Sequence, residues 1–269
     1  MPTSDVEVLR DAATFSSAGY DDSIGPIMGR TILAMDEPEH RAYRSLVQQA
    51  FSRGALESWE TELVVPTDDR LIDGFAGKGR ADLVSRLFFP FPVYVIAGML
   101  GLPPGDLPRF HRLAVELIST AVDVDLARRA SEALAGYLLP FIAARREAPG
   151  GDVISVLATA EQGGERLSDD EILAFCRLLL PAGRRPPTDR PPTSPAACSA
   201  PLGSSTGCGP TGRWCRRRCC LGMHLARMET RVVIERLLDR LPELRLDPSA
   251  PPPAITGLML RAPRRVEAV

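Results

Sequence analysis

Residues 184–220 read RRPPTDRPPTSPAACSAPLGSSTGCGPTGRWCRRRCC and cut the chain in two. Seven prolines, seven arginines and five cysteines crowd this window against a single acid, Asp189. Proline donates no backbone hydrogen bond and clashes with the preceding turn, so this density cannot be a helix interior. The window has no apolar period and reads as an irregular linker. Three stretches follow: 1–183 before it, 184–218 within it, and 219–269 after it.

The first stretch reads as consistent helical sequence. Apolar-periodic segments lie at about 55–75, 83–100, 106–121, 124–146 and 152–160. Asp36-Glu37-Pro38-Glu39 has the letters of a capping box, with proline suited to the first turn. It opens a helix through His40, Arg44, Val47 and Phe51. Ser168-Asp169-Asp170-Glu171 is a second capping box, ahead of Ile172, Phe175 and Leu178–Leu180. Leu102–Asp106 is a turn. After the linker, Leu221, Leu225, Met228, Val232, Leu237, Leu238 and Leu241 mark one amphipathic helix. Short strand-like pieces follow, clearest at Ile255–Leu260. The expected fold is mainly α, with minor β at the C-terminus.

The 32 basic and 34 acidic residues leave a formal charge of −2, which argues against a nucleic-acid-binding protein. No apolar run is long enough to span a membrane, and the N-terminus lacks a secretory pattern, so the chain is expected to be cytoplasmic. A disulfide framework is not expected there. Lys78 is the only lysine, and arginine at this excess marks GC-rich coding sequence.

Three motifs carry candidate chemistry. Cys220-Leu221-Gly222 precedes the second-stretch helix. A thiolate there is favoured by the helix dipole and by free N–H groups. Gly222 would let a flat ligand approach the backbone. One thiolate without partners at zinc-finger spacing suits a haem iron better than zinc; a buried structural cysteine is the alternative. His40 and Arg44 share one helix face a turn apart and could grip two carboxylates, or form a solvated polar face. Leu178–Gly183 ends a helix on Ala182 and Gly183, small enough to pass over a flat cofactor, or is a plain buried helix end.

Together these segments resemble the bacterial cytochrome P450 family. Glu7–Arg10 through Thr14–Ser17 looks like its B-helix region, and Asp36 to Phe51 its C helix. Phe89–Ile96 with Gly101–Pro103 resembles its YPLPVxVIxxxLGxP segment, and Gly151–Leu157 with Leu167–Glu171 the approach to its long I helix. Cys220 to Glu229 resembles the haem-ligand cysteine and L helix, and Ile255–Leu258 a C-terminal strand. The resemblance implies a haem-dependent monooxygenase with haem b. Cys220 would be the iron ligand, His40 and Arg44 would hold the propionates, and Ala182, Gly183 and Gly222 would lie against the ring. It also implies a ferredoxin or flavodoxin-type electron donor and a small hydrophobic substrate, with no nucleic acid and no membrane.

The departures from that pattern are as informative. The family I helix continues Ala-Gly-x-acid-Thr-Thr, whereas here Ala182-Gly183 leads into Arg184-Arg185-Pro186-Pro187. Arg185 stands for the acid and Pro186 for the threonine, so no catalytic set is intact. Deleting one G from GCC-GGC-GCG-GAG-ACC-ACC gives GCC-GGC-CGG-AGA-CCA-CC, which translates to the observed residues. Residues 184 to about 218 are therefore expected to be out of frame. The family Glu-x-x-Arg is missing between Gly183 and Cys220, and Glu7–Arg10 matches its letters only by chance. Arg213, Trp214, Arg216 and Arg218 stand where the haem loop carries phenylalanine, two glycines and histidine. An incomplete P450 fold, impaired or inactive, is expected, with low solubility and poor haem retention. A non-functional degraded gene product is the alternative. A metal-binding module on Cys208, Cys215, Cys219 and Cys220 is weaker, because those spacings contain no C-x-x-C pair. An all-helical regulator has no basic or helix-turn-helix signal behind it.

Overall fold

The computed structural model describes residues 14–121, 123–162, 164–183, 220–251, 253, 255–256, 262–263 and 265–269. The segment expected to be irregular, 184–218, lies outside them, as do Glu7–Arg10 and residues 257–260. Two short helices, α1 (Gly19–Ser23) and α2 (Gly25–Met28), precede α3 (Glu39–Val47). A 3-10 turn at Gln48–Phe51 leads to α4 (Arg53–Trp59), which widens through a π turn, Glu60–Val64, into α5 (Val65–Asp73). Then come α6 (Pro90–Met99), α7 (Leu107–Leu117), α8 (Val124–Glu147), α9 (Val153–Thr159), α10 (Asp169–Gly183) and α11 (Met223–Arg240). The apolar-periodic segments fall mostly on these helices, except that Val84–Phe88 forms a π turn and Ile118–Ala121 a 3-10 turn.

The described chain packs as two compact units. One holds residues up to Thr67 and from Phe89 to the end of α10; the other holds Asp68–Phe88 and the residues from Cys220 on.

In the first unit α10 packs against α6, α8 and α9. Five consecutive residues, Ile172 to Cys176, are buried, as is Leu180. A helix apolar on every side has to lie inside its unit. Its N-terminus closes as the expected capping box: Ser168 N–H donates to Glu171 Oε2 at 2.7 Å, and Glu171 N–H donates to Ser168 Oγ at 3.2 Å. Arg146, at the end of α8, grips the same corner. Its guanidinium donates to Asp169 Oδ1 at 2.7 Å and to the Leu167 and Ala158 carbonyls at 2.7 and 3.1 Å. Next to it, Arg145 Nε donates to Asp152 Oδ2 at 2.6 Å, while Asp152 Oδ1 caps α9 by accepting from Ser155 N–H at 2.8 Å. Gly101 sits against Asp152 with φ +68°, where a Cβ would fall 2.5 Å from the Asp152 carboxylate, so only glycine fits.

The first capping box does not form. Pro38 is the N-cap residue of α3 and supplies no side-chain cap. The Asp36 carboxylate turns back instead, accepting from Ser17 N–H at 2.9 Å and from the Ser16 hydroxyl. Asp36 prefers that donor because the loop after residue 14 runs beside it, which a four-residue motif cannot reveal.

In the second unit, Asp69 on α5 accepts from Arg236 at 2.9 and 2.5 Å, and its carbonyl accepts from Arg240 at 3.1 Å; Arg240 also pairs with Asp73. These contacts lock α11 to the C-terminal half of α5. Strand β1 (Ala81–Asp82) pairs antiparallel with the C-terminal β6 (Glu267–Ala268), with Ala81 opposite Ala268. Between them in sequence come β2 (Glu161–Gln162), β3 (Glu165–Arg166), β4 (Ile255–Thr256) and β5 (Ala262–Pro263). The β2–β3 hairpin belongs to the first unit, so the minor β structure is not confined to the C-terminus. The β4–β5 pair holds the start of the expected Ile255 strand.

Asp68 is the local conflict. It is buried, and neither carboxylate oxygen has a hydrogen-bond partner among the described residues. Burial, reinforced by the neighbouring Asp69 charge, pushes its carboxyl up to about 7, against the pull of Arg236 and Arg240. The folded state therefore holds a proton that the unfolded chain has released, so stability falls as pH rises from about 4 to about 7. Asp68→Asn should raise stability at pH 8, by on the order of 1–2 kcal/mol, and change little at pH 5. Urea unfolding at the two pH values measures this; equal effects at both would contradict it.

Candidate functional site

Helix α3 carries His40 and Arg44 one turn apart. Tyr43, Leu46 and Val47 bury the other side and hold the helix in place. Burial of each such apolar side chain contributes about 1.5–3 kcal/mol. The Tyr43 hydroxyl donates to the Glu171 carbonyl at 3.1 Å, which ties α3 to the start of α10. Burial raises the Tyr43 phenol well above its ordinary range, so it stays a donor. Arg30 and Glu39 approach to 2.6 Å, but both are about half exposed. Such a pair is worth about 0–1 kcal/mol, so apolar packing rather than this ion pair sets the pose of α3.

His40 and Arg44 are themselves half-buried. The His40 Nδ1 lies 3.8 Å from Glu37 Oε1, and Glu37 Oε2 lies 3.2 Å from Arg41 Nε. Glu37 was not singled out from the sequence. Its position three residues before His40, at the helix entry, was the available signal. Glu37 therefore places one carboxylate between His40 and Arg41 at the helix entry. In the same unit, Ala182 is exposed in the last turn of α10, and Gly183 is its last residue.

The second unit holds Cys220 and Gly222. Cys220 is a free, exposed thiol. Its carbonyl accepts from Met223 N–H at 3.2 Å, and the Gly222 carbonyl accepts from Ala226 N–H at 2.8 Å. Gly222 is thus the N-cap of the 18-residue α11. A Cβ added to Gly222 would meet nothing within 4 Å, so the backbone beside the thiol is open to a flat group. Leu225, Val232, Val233 and Leu237 are buried and anchor the helix behind it. The arrangement presents a sulfur donor at the positive end of a helix dipole. Within the second unit, an accessible thiol beside an open glycine is a donor set that suits a flat, iron-bearing group.

Cys176 is the opposite case. It is buried on α10, and burial pushes its thiol up to about 12, so it is unreactive. Arg185, Pro186, Arg213, Trp214, Arg216 and Arg218 lie outside the described residues, as do Cys208, Cys215 and Cys219. Among the described residues no three His, Cys, Asp or Glu side chains are grouped to hold a metal ion, and no helix is long and apolar enough to cross a membrane.

No family model matches the chain. It is 34% identical over 192 residues to the cytochrome P450 YjiB of Bacillus subtilis, an alignment that covers 68% of this chain and 48% of that protein. It is 39% identical over 185 residues to the erythromycin C-12 hydroxylase of Saccharopolyspora erythraea, covering 65% and 46%. The chain thus spans about half the length of the curated relatives it matches. In three dimensions it is similar to the cytochrome P450 PksS of the Bacillus subtilis bacillaene polyketide synthase. That match has a TM-score of 0.77 at 20% identity and covers 98% of this chain and 88% of the other.

The two thiols should separate cleanly. Under native conditions iodoacetamide should modify Cys220 within minutes and spare Cys176 until denaturant is added, as read by peptide mass mapping. Equal labelling of both in the native protein would contradict the burial of α10.

Proposed function

The chain belongs to the bacterial cytochrome P450 family, and on that basis we propose that it carries a haem-thiolate site with Cys220 as the iron ligand. His40 and Arg44 would hold the propionates of haem b, and Ala182, Gly183 and Gly222 would leave room for the ring. The exposed Cys220 thiol, placed two residues ahead of the Gly222 cap of α11, is the observation that carries this reading. When bound, the haem supplies dioxygen activation, and a thiolate ligand favours O–O cleavage. The reaction class is hydroxylation: a substrate C–H takes one oxygen atom, and the other leaves as water after two electrons and two protons enter. The substrate would be a small hydrophobic molecule and the electrons would come from a ferredoxin or flavodoxin-type donor.

This chain is impaired in that reaction. Arg185 and Pro186 occupy the sequence positions of the acid and hydroxyl that relay protons. Arginine keeps its proton at neutral pH, and a proline side chain has none to give. The glycine loop that precedes the cysteine in the family is also replaced, by Arg213 to Arg218. Those same substitutions favour the second reading, a degraded gene product that no longer binds haem.

The carbon monoxide difference spectrum of the reduced, haem-supplemented chain decides between them. The red-shifted Soret band of a thiolate-ligated haem is expected, lost in Cys220→Ala and kept in Cys176→Ala. No such band would leave the degraded-product reading standing. His40→Ala and Arg44→Ala should each weaken haem binding by about tenfold or more, since each removes a charge-assisted hydrogen bond. With a reconstituted donor, electron consumption should outrun hydroxylated product; tight coupling would contradict the impairment.

A further inference from the structure

We propose that the second unit carries a groove for a phosphate-class anion, independent of any haem site. The groove is open to solvent and has a volume of about 340 Å³ beside the buried Phe75. Four cations reach its wall: Lys78, Arg80, Arg86 and Arg265; two carboxylates, Asp82 and Glu267, oppose them. The cations come from three places in sequence. Lys78 ends a 3-10 turn, Arg80 and Arg86 flank β1, and Arg265 precedes β6. Pairing of β1 with β6 draws these stretches together.

The charges are not equally engaged. Arg80 pairs with Asp247 and donates to Ser249 Oγ at 2.8 Å, and Arg265 pairs with Glu267. Asp82 is satisfied by the backbone, accepting from Val266 N–H at 2.9 Å and Val84 N–H at 3.1 Å. Its burial opposes ionisation, but these hydrogen bonds, with help from Ser85, outweigh it and hold the carboxyl below its ordinary value. Lys78 and Arg86 are exposed, and neither has an ion-pair or hydrogen-bond partner among the described residues. The groove therefore keeps a net positive charge and two uncommitted donors of complementary kind. Lysine offers a compact charge, and arginine a planar fork that matches two oxygens of one phosphate. The groove volume sits at the lower end of the roughly 300–1,000 Å³ of small-molecule sites, enough for a phosphate and a small polar group attached to it. The mostly polar wall disfavours an apolar ligand.

Titration calorimetry on the full chain tests this with two probes, inorganic phosphate and glycerol phosphate, at an ionic strength fixed with sodium chloride. Saturable one-site binding at pH 8 is expected. It should weaken about tenfold in Lys78→Gln and in Arg86→Gln, and further in the double variant. It should also weaken as pH falls through about 7 for inorganic phosphate and about 6 for the ester, where each dianion takes up a proton. Tighter binding of the ester would identify an organic phosphate as occupant; equal binding would identify phosphate itself. Both variants change exposed side chains, and unchanged circular dichroism and melting temperature in chloride would establish that they fold. Absence of saturable heat, or binding unaltered in the folded variants, overturns the proposal.

Discussion

The burial of α10 is the constraint on which the first unit depends. Ile172 to Cys176 and Leu180 are buried, and Arg177, the polar side chain of its middle turns, donates to the Ser131 carbonyl at 2.8 Å. It can exist only if other helices cover it, and α6, α8 and α9 do so. Its exposed start then needs local closure. The reciprocal Ser168–Glu171 cap satisfies two of the orphan N–H groups, and the Arg146 fork ties the same corner to α8 and α9. Tyr43 bonds to a carbonyl of that first turn. The pose of His40 and Arg44 is therefore inherited from α10 through α3. An inert thiol at Cys176 is a by-product of the same burial.

The second unit rests on a different device. Two carboxylates one turn apart on α5, Asp69 and Asp73, take two arginines one turn apart on α11, Arg236 and Arg240. The geometry is multidentate and partly shielded, which distinguishes it from the exposed i,i+4 pairs elsewhere on the molecule. Asp68 stands next to this network without sharing in it. The same type of side chain is thus stabilising at one position and costly at the next, because one accepts hydrogen bonds from the guanidinium groups and its buried neighbour feels them only at a distance.

What each unit offers a cofactor follows from these frameworks. Apolar packing behind α3 and α11 fixes the helices, and the polar or reactive residues on their other sides remain accessible. Cys220 and Gly222 need only the end of a well-anchored helix, and α11 supplies it. Past Gly183 the sequence loses its helical period, and Arg185 and Pro186 lie outside the described residues.

The sequence by itself determined the longer helices, the Ser168 cap, the cysteine ahead of α11 and the family, but not the short α1 and α2. Apolar period, capping letters and C-x-G spacing are all short-range signals, and the residues that carry them lie within one or two turns. Only the tertiary structure decided that Asp36 caps a loop rather than α3, that Arg146 serves three partners, and that β1 pairs with residues near the C-terminus. It alone gathered Lys78, Arg86 and Arg265 around one groove. In each case the partner is distant in sequence or belongs to another element. The choice among competing partners was made by burial and chain crossing, which leave no periodic trace in the residues themselves.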